Sequence, residues 1–250
     1  MNQSRTTSNE ILDFLRQTDT CTVSNAIESF DVRMRNEGYI HRGVQCMFAE
    51  LPAVAGYAVT GRIRTTVPPV LRNLCYYNTP EWWDYVAGVP GPKVIVLCDD
   101  DDAPGVGAFF GEIHMEISKA LGCVGYVSNG SIRDVPALKA ERFPCFAGGV
   151  SPSHAYAHIV EFGERIEIGS LKIATGDLLH GDCHGVQKIP LEIADALPER
   201  VSQVSNREAE LINLCRSAGF SLDKLKAMLA AANTLQPFVE QDRVVEKNGS

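Results

Sequence analysis

The apolar positions change period several times along the chain, and each change marks an element. Ile11, Leu12 and Leu15 fall on one side of a helical wheel with Ser8 at the N-cap position, which predicts a short helix, and Thr22-Val-Ser-Asn-Ala predicts the start of a second. From Leu51 to Ile63 the chain is apolar and punctuated by glycine, the pattern of a buried strand with a bend. Trp82, Trp83, Tyr85 and Val86 predict a helix that stops at Gly88 and Pro90, with both tryptophans in the core. Lys93-Val-Ile-Val-Leu-Cys is the clearest buried strand. From Gly111 the spacing predicts a helix carrying Ile113, Ile117, Ala120 and Leu121 on one face and ending at Gly122.

A short strand, Cys123-Val-Gly-Tyr-Val, comes next, followed by a turn at Asn129-Gly130-Ser131 and the pair Arg133-Asp134. Beyond Pro144 the segments HIVEF, RIEIG, LKIA, DLLHG and GVQKI alternate with turn residues and predict an all-β stretch. After Pro190 the pattern is helical to about Ala218 and again from Leu222 to Leu235, with VVEKNGS as a frayed end. No repeat or low-complexity linker interrupts the chain. The expected organisation is an α/β unit over residues 1–190, with residues 191–250 a helical extension packed on it or on a neighbouring subunit.

Composition narrows the function. Of 250 residues, 45% are hydrophobic and 22% charged, enough apolar material for one substantial core. A formal charge of -8 excludes a general nucleic-acid binder, so a small acidic substrate needs a local cationic pocket. The first ten residues are polar and no apolar run approaches the roughly 18 residues of a membrane span, which predicts a cytoplasmic protein. The eight cysteines include no CxxC pair, and several lie in apolar runs, so they are expected to be buried reduced thiols.

Candidate chemistry gathers around Gly111. A helix from Glu112 to Leu121 rises about 14 Å, and a strand from Cys123 to Ser128 returns about 17 Å antiparallel to it. Glu112 and Arg133 are therefore expected to be neighbours despite the twenty positions between them. An anion there is expected to meet the helix-start amides of Ile113 and His114 and the guanidinium of Arg133, whose planar fork matches a carboxylate. Asp134 offers a hard oxygen ligand suited to magnesium or manganese. The bland alternative is a favourable charge at a helix start and a solvated pair in a turn.

Phe110-Gly111-Glu112, with Gly122-Cys-Val-Gly-Tyr-Val-Ser-Asn-Gly-Ser-Ile-Arg133-Asp134, resembles the central signature of the RraA-like proteins. Thr22-Val-Ser-Asn-Ala resembles that family's N-terminal helix motif. Gly176-Asp-Leu-Leu-His-Gly-Asp-Cys-His-Gly-Val-Gln-Lys-Ile-Pro190 resembles its late Gly-Asp…Asp…Gly-Val…Pro segment. The resemblance implies a layered α/β/β(α) fold like the phosphohistidine swivelling domain, with C-terminal helices. It also implies a lyase similar to the 4-hydroxy-4-methyl-2-oxoglutarate aldolases that decarboxylate oxaloacetate, assembled as a homotrimer or homohexamer with sites between subunits. On this resemblance Arg133 binds the pyruvoyl part of a small 2-oxo acid, Asp134 holds Mg2+ or Mn2+, and Glu112 holds water on the metal. The amides of Ile113 and His114, next to Gly111, meet the substrate carboxylate. Glu208, with Glu210 as fallback, reaches the site from a neighbouring subunit.

Three positions depart from the family's pattern: Asn129 and Asn25 stand where Asp is common, and His114 replaces an apolar residue. The first two remove negative charge near the site; the third bears on substrate choice. Some members are instead protein-binding regulators that inhibit an RNA-degrading endonuclease, which is the alternative function. Two histidine pairs, His154/His158 and His180/His184 beside Cys183, have ligand-like spacing, but neither is expected on one helical face. The Asp99–Asp102 run is expected to be a solvated loop, since no spaced acceptors and closing Glu follow it.

Overall fold

The computed structural model describes residues 6–69 and 79–232. Cys75, the helical continuation past Ala232 and the end expected to fray lie outside them.

Ser8 caps α1 (Asn9–Gln17) by accepting from the Ile11 amide, and Asp19 does the same for α2 (Thr20–Glu28) through Thr22. The second helix thus begins two residues before the predicted start. Next come β1 (Gln45–Cys46), the long β2 (Val54–Arg64), α3 (Pro80–Gly88) opened by a proline that needs no amide partner, and β3 (Lys93–Asp99). Three further elements, β4 (Ala108–Phe110), α4 (Glu112–Ala120) and β5 (Cys123–Ser128), lead to β6 (Ser131–Ile132), α5 (Val135–Ala140), β7 (Cys145–Ala147) and β8 (Gly149–Val150). The predicted all-β stretch appears as β9 (His158–Phe162), β10 (Ile166–Ile168), β11 (Leu171–Ile173), β12 (Leu178–Asp182) and β13 (Gly185–Ile189). A 3-10 turn at Ala194–Ala196 leads into α6 (Leu197–Arg216), and α7 (Leu222–Ala232) follows.

A near-closed mixed sheet in the order β1-β7-β5-β3-β2-β12-β13, with β9 also on β2, forms the frame. Its centre, β2-β3-β5-β7, is parallel. Both faces of β3 are buried: Ile95 and Leu97 join α3, α4 and α5 in one cluster, while Val94, Val96 and Cys98 meet the β10–β11 hairpin on the other. Such a strand reads as a continuous apolar run, which is why it was the clearest in the sequence. A third cluster joins α1, α2 and the first turn of α6, through Leu15, Val23 and Leu197, to Tyr57 and Leu178. Beyond Val201, α6 carries no fully buried residue. Among the described residues no helix is long and apolar enough to cross a membrane.

One predicted face is corrected. On α4 the buried residues are His114, Met115 and Ser118, whereas Ile113 is 51% exposed. The helix is rotated because its first turn must place Met115 among Phe110, Tyr126 and Ile132, and the imidazole goes in with it.

Candidate active site

Two very short strands build the site. β4 and β6 pair in parallel, Ala108 opposite Ser131 and Phe110 opposite Ile132, in a separate three-stranded sheet with β8. In a parallel ladder the residues that leave both strands emerge side by side. Gly111-Glu112 and Arg133-Asp134 therefore share one edge, and the Arg133 amide donates to the Phe110 carbonyl at 2.9 Å. The helix-and-return geometry expected from the sequence gives the same neighbourhood, but the ladder sets its register.

Asp134 is held at φ 55, in the left-handed region, as the N-cap residue of α5. Aspartate is among the few non-glycine residues that adopt this conformation readily. Its carboxylate does not cap its own helix. Oδ2 instead accepts from the Glu112 amide at 3.1 Å, at the start of α4, where a negative group is favoured by the helix dipole. The Arg133 Nε stands 3.4 Å from the same Oδ2, and the two side chains are 29% and 35% exposed. Gly111 is required by space: a Cβ there would lie 2.5 Å from Asp134 Oδ2 and 2.8 Å from Arg133 Cγ. Glu112 itself is exposed.

His114 is 1% exposed, with its ring beside Phe109 at 4.5 Å and Trp83 at 5.8 Å between centroids. Burial, with a further contribution from the Arg133 charge, pushes its pKa down to about 3, so the ring is neutral near pH 7. Glu208 is exposed on α6 and accepts from Asn25 Nδ2 at 3.0 Å; among the described residues no hydrogen bond or ion pair joins it to Glu112, Arg133 or Asp134. Glu210 is exposed as well. An amide at position 25 can donate to that carboxylate, whereas a second carboxylate would repel it.

Asn129 has an equally local reason. Its Oδ1 accepts from the Asp99 amide at 2.7 Å and its Nδ2 donates to the Asp99 carbonyl at 3.0 Å, which fastens the end of β3 to the turn ahead of Arg133. Only an amide side chain does both. The acidic run is the solvated loop expected only at Asp100 and Asp102, which are exposed. Asp99 is 2% exposed and accepts from Gly105 and Asp101 amides, and Asp101 accepts from the amides and hydroxyls of Thr65 and Thr66. Burial pushes the Asp99 carboxyl up, against the hydrogen bonds it accepts.

The site residues suit a hard divalent cation. Asp134 Oδ1 has only a weak contact, 3.5 Å from Arg133 Nε, so it retains lone pairs for a metal. Magnesium and manganese need only one or two protein carboxylates, because water and substrate supply the rest. The histidine pairs do not form ligand sets. His180 is buried against the Thr18 carbonyl and Gln187, while His184 turns to Asp182 and Cys183; His154 and His158 each bond a nearby carbonyl.

The protein is thus an α/β fold with a guanidinium and a carboxylate at the edge of a parallel ladder, beside a helix start. Residues 20–187 match the sequence model of the RraA-like family, Aldolase/RraA, and the chain belongs to that family. It is 35% identical over 102 residues to a Halalkalibacterium halodurans protein named "Putative 4-hydroxy-4-methyl-2-oxoglutarate aldolase", covering 40% of this chain and 47% of that one. The chain thus spans about half the length of the curated relatives it matches. The fold is similar to that of a protein from Pseudomonas syringae pv. tomato, with a TM-score of 0.70 at 21% identity over 90% of this chain and 96% of that one. It is also similar to Streptomyces coelicolor RraAS2, described as an unusual member of the RNase ES inhibitor RraA protein family, with a TM-score of 0.63 at 19% identity over 85% and 99% of the two chains.

Proposed function

We propose that this chain is a divalent-metal-dependent lyase that cleaves a carbon–carbon bond of a small 2-oxo acid, by retro-aldol cleavage of a 4-hydroxy-2-oxo acid, by decarboxylation of oxaloacetate, or by both. The observation that carries the proposal is the junction in which Asp134, Arg133 and the start of α4 meet at one strand edge. The aldolase name of the Halalkalibacterium relative supports it.

Both reactions leave pyruvate as its enolate, so one electrostatic arrangement serves both. Asp134 would hold a magnesium or manganese ion, which when bound would supply positive charge to stabilise developing negative charge on the substrate. Arg133 adds a second fixed charge and grips the pyruvoyl end through its fork, while the amides of Ile113 and His114 receive the carboxylate. Retro-aldol cleavage also needs an acceptor for the C4 hydroxyl proton. Glu112 would hold the water that takes it, and Glu208 of a second copy would complete the set in a homotrimer or homohexamer. The cytoplasm, where 2-oxo acids are metabolised, is the proposed location.

The test is pyruvate release from oxaloacetate with magnesium and with EDTA. Metal-dependent release that is lost in Arg133→Lys supports the proposal, because a point charge cannot reproduce the fork. Metal-independent release accompanied by a borohydride-trapped adduct would mean Schiff-base chemistry and would overturn it. A second reading is a protein-binding regulator of an RNA-degrading endonuclease, suggested by the description of RraAS2. A carboxylate held in a left-handed backbone beside an arginine favours chemistry over that reading, since a docking surface requires neither.

A further inference from the structure

The β12–β13 hairpin carries a second cluster of ligating groups, independent of the lyase reading. Asp182 pairs with Gly185 across the turn, leaving Cys183 and His184 as the two residues at its tip. Gly185, at φ +130, takes the unusual backbone conformation of the turn. Turn chemistry favours Asn, Asp or Gly at such tips, and neither cysteine nor histidine is among them. Their side chains fold back together instead. His184 Nδ1 lies 3.4 Å from Cys183 Sγ and 3.2 Å from Asp182 Oδ1, and all three ligand atoms lie within 4.8 Å of one another.

These distances suit a metal better than a catalytic relay. A cysteine–histidine–aspartate relay uses both imidazole nitrogens, one toward the thiol and one toward the carboxylate. Here Nδ1 is the nitrogen nearer both partners, and Nε2 stands farther from the thiol, at 4.0 Å. Around a tetrahedral zinc, with sulfur at about 2.3 Å and nitrogen or oxygen at about 2.0–2.1 Å, neighbouring ligand atoms stand about 3.3–3.6 Å apart. The two separations from His184 Nδ1, 3.4 Å to sulfur and 3.2 Å to oxygen, are close to that edge length. Asp182 is preorganised: it is 8% exposed and is held by the Thr20 amide and hydroxyl and by the His184 amide, at 2.7 to 2.8 Å. Cys183 and His184 are exposed, so an ion has a path in. Among the described residues this is the one group of three such side chains close enough to share an ion.

We propose that Asp182, Cys183 and His184 form a binding site for a borderline transition-metal ion of the zinc class, separate from the hard-cation site at Asp134. Binding displaces the thiol proton and takes the Nδ1 lone pair, while Asp182 supplies the third ligand and the fourth position stays open to water or to a nearby thiol. Thr20, which Asp182 holds, directly precedes the exposed Cys21, so that thiol lies at the same corner of the molecule.

Cobalt(II) serves as the probe, added to the reduced, metal-free full chain. The expected result is a saturable near-ultraviolet thiolate-to-cobalt charge-transfer band at one ion per chain, displaced by zinc. The band is expected to vanish in Cys183→Ser, to need at least tenfold more cobalt in His184→Ala, and to persist in Asp134→Ala. Both hairpin substitutions are at an exposed tip, and unchanged circular dichroism verifies the fold. No saturable band, or a band unaltered in Cys183→Ser or in His184→Ala, overturns the proposal. A band that disappears in Asp134→Ala overturns the separateness of the two sites.

Discussion

The carboxylate of Asp134 accepts from the backbone amide of Glu112 at 3.1 Å, although 22 positions separate the two residues. This bond ties the first turn of α4 to the first residue of the α5 cap. It also turns the carboxylate toward α4 and away from its own helix, leaving Oδ1 with only the 3.5 Å contact to Arg133 Nε.

Gly111→Ala tests how closely that junction is fitted. The added methyl group would lie 2.5 Å from Asp134 Oδ2, so the side chain must move. We expect a stability loss of about 1–3 kcal/mol and a fall in pyruvate release of about 10–100-fold. Urea unfolding and oxaloacetate turnover measured on the same sample check both; full turnover in the variant would show that the junction tolerates displacement.

Asn129→Asp tests the fastening of β3 to the turn. The aspartate keeps an acceptor for the Asp99 amide but faces the Asp99 carbonyl with a second oxygen. A loss of about 1–3 kcal/mol follows from one hydrogen bond replaced by a repulsive contact. The midpoint of urea unfolding should fall with an unchanged slope, and a midpoint equal to that of the parent would mean the lock has no weight.

His114 makes stability depend on pH. Its pKa is about 3 in the folded chain and 6.5 when unfolded, so between those values the unfolded chain binds one more proton. Its contribution is fully present above about pH 6.5 and is lost as pH falls toward about 3, with a slope of at most about 1.4 kcal/mol per pH unit. Unfolding at about pH 4.5 and about pH 7 should differ less in His114→Phe than in the parent. Equal differences in both proteins would locate the acid sensitivity elsewhere.

The elements with a strong period were legible in the sequence. Ser8 and the α1 stripe, the Lys93–Cys98 run and the five strands β9 to β13 all appear where the pattern put them. The strands that place the site were not, because Ala108–Phe110 and Ser131–Ile132 are too short to display an alternation. The α4 face was misread because the exposed Ile113 looks like a core residue and the buried His114 does not. Tertiary packing decided there against hydrophobicity. The neighbourhood of Glu112, Arg133 and Asp134 could be expected from spacing and family resemblance; the left-handed Asp134 and the Asp182–Cys183–His184 cluster could not, since both are properties of backbone geometry.

The most direct measurement of the lyase proposal compares magnesium-dependent pyruvate release from oxaloacetate in the parent and in Asp134→Asn. Asparagine tolerates the left-handed backbone and keeps an oxygen for the Glu112 amide, so the fold is retained while the anionic metal ligand is lost. Release in the parent is expected to be abolished by EDTA, and release in the variant to be at least about 100-fold lower. Magnesium-dependent turnover that is undiminished in Asp134→Asn would contradict it.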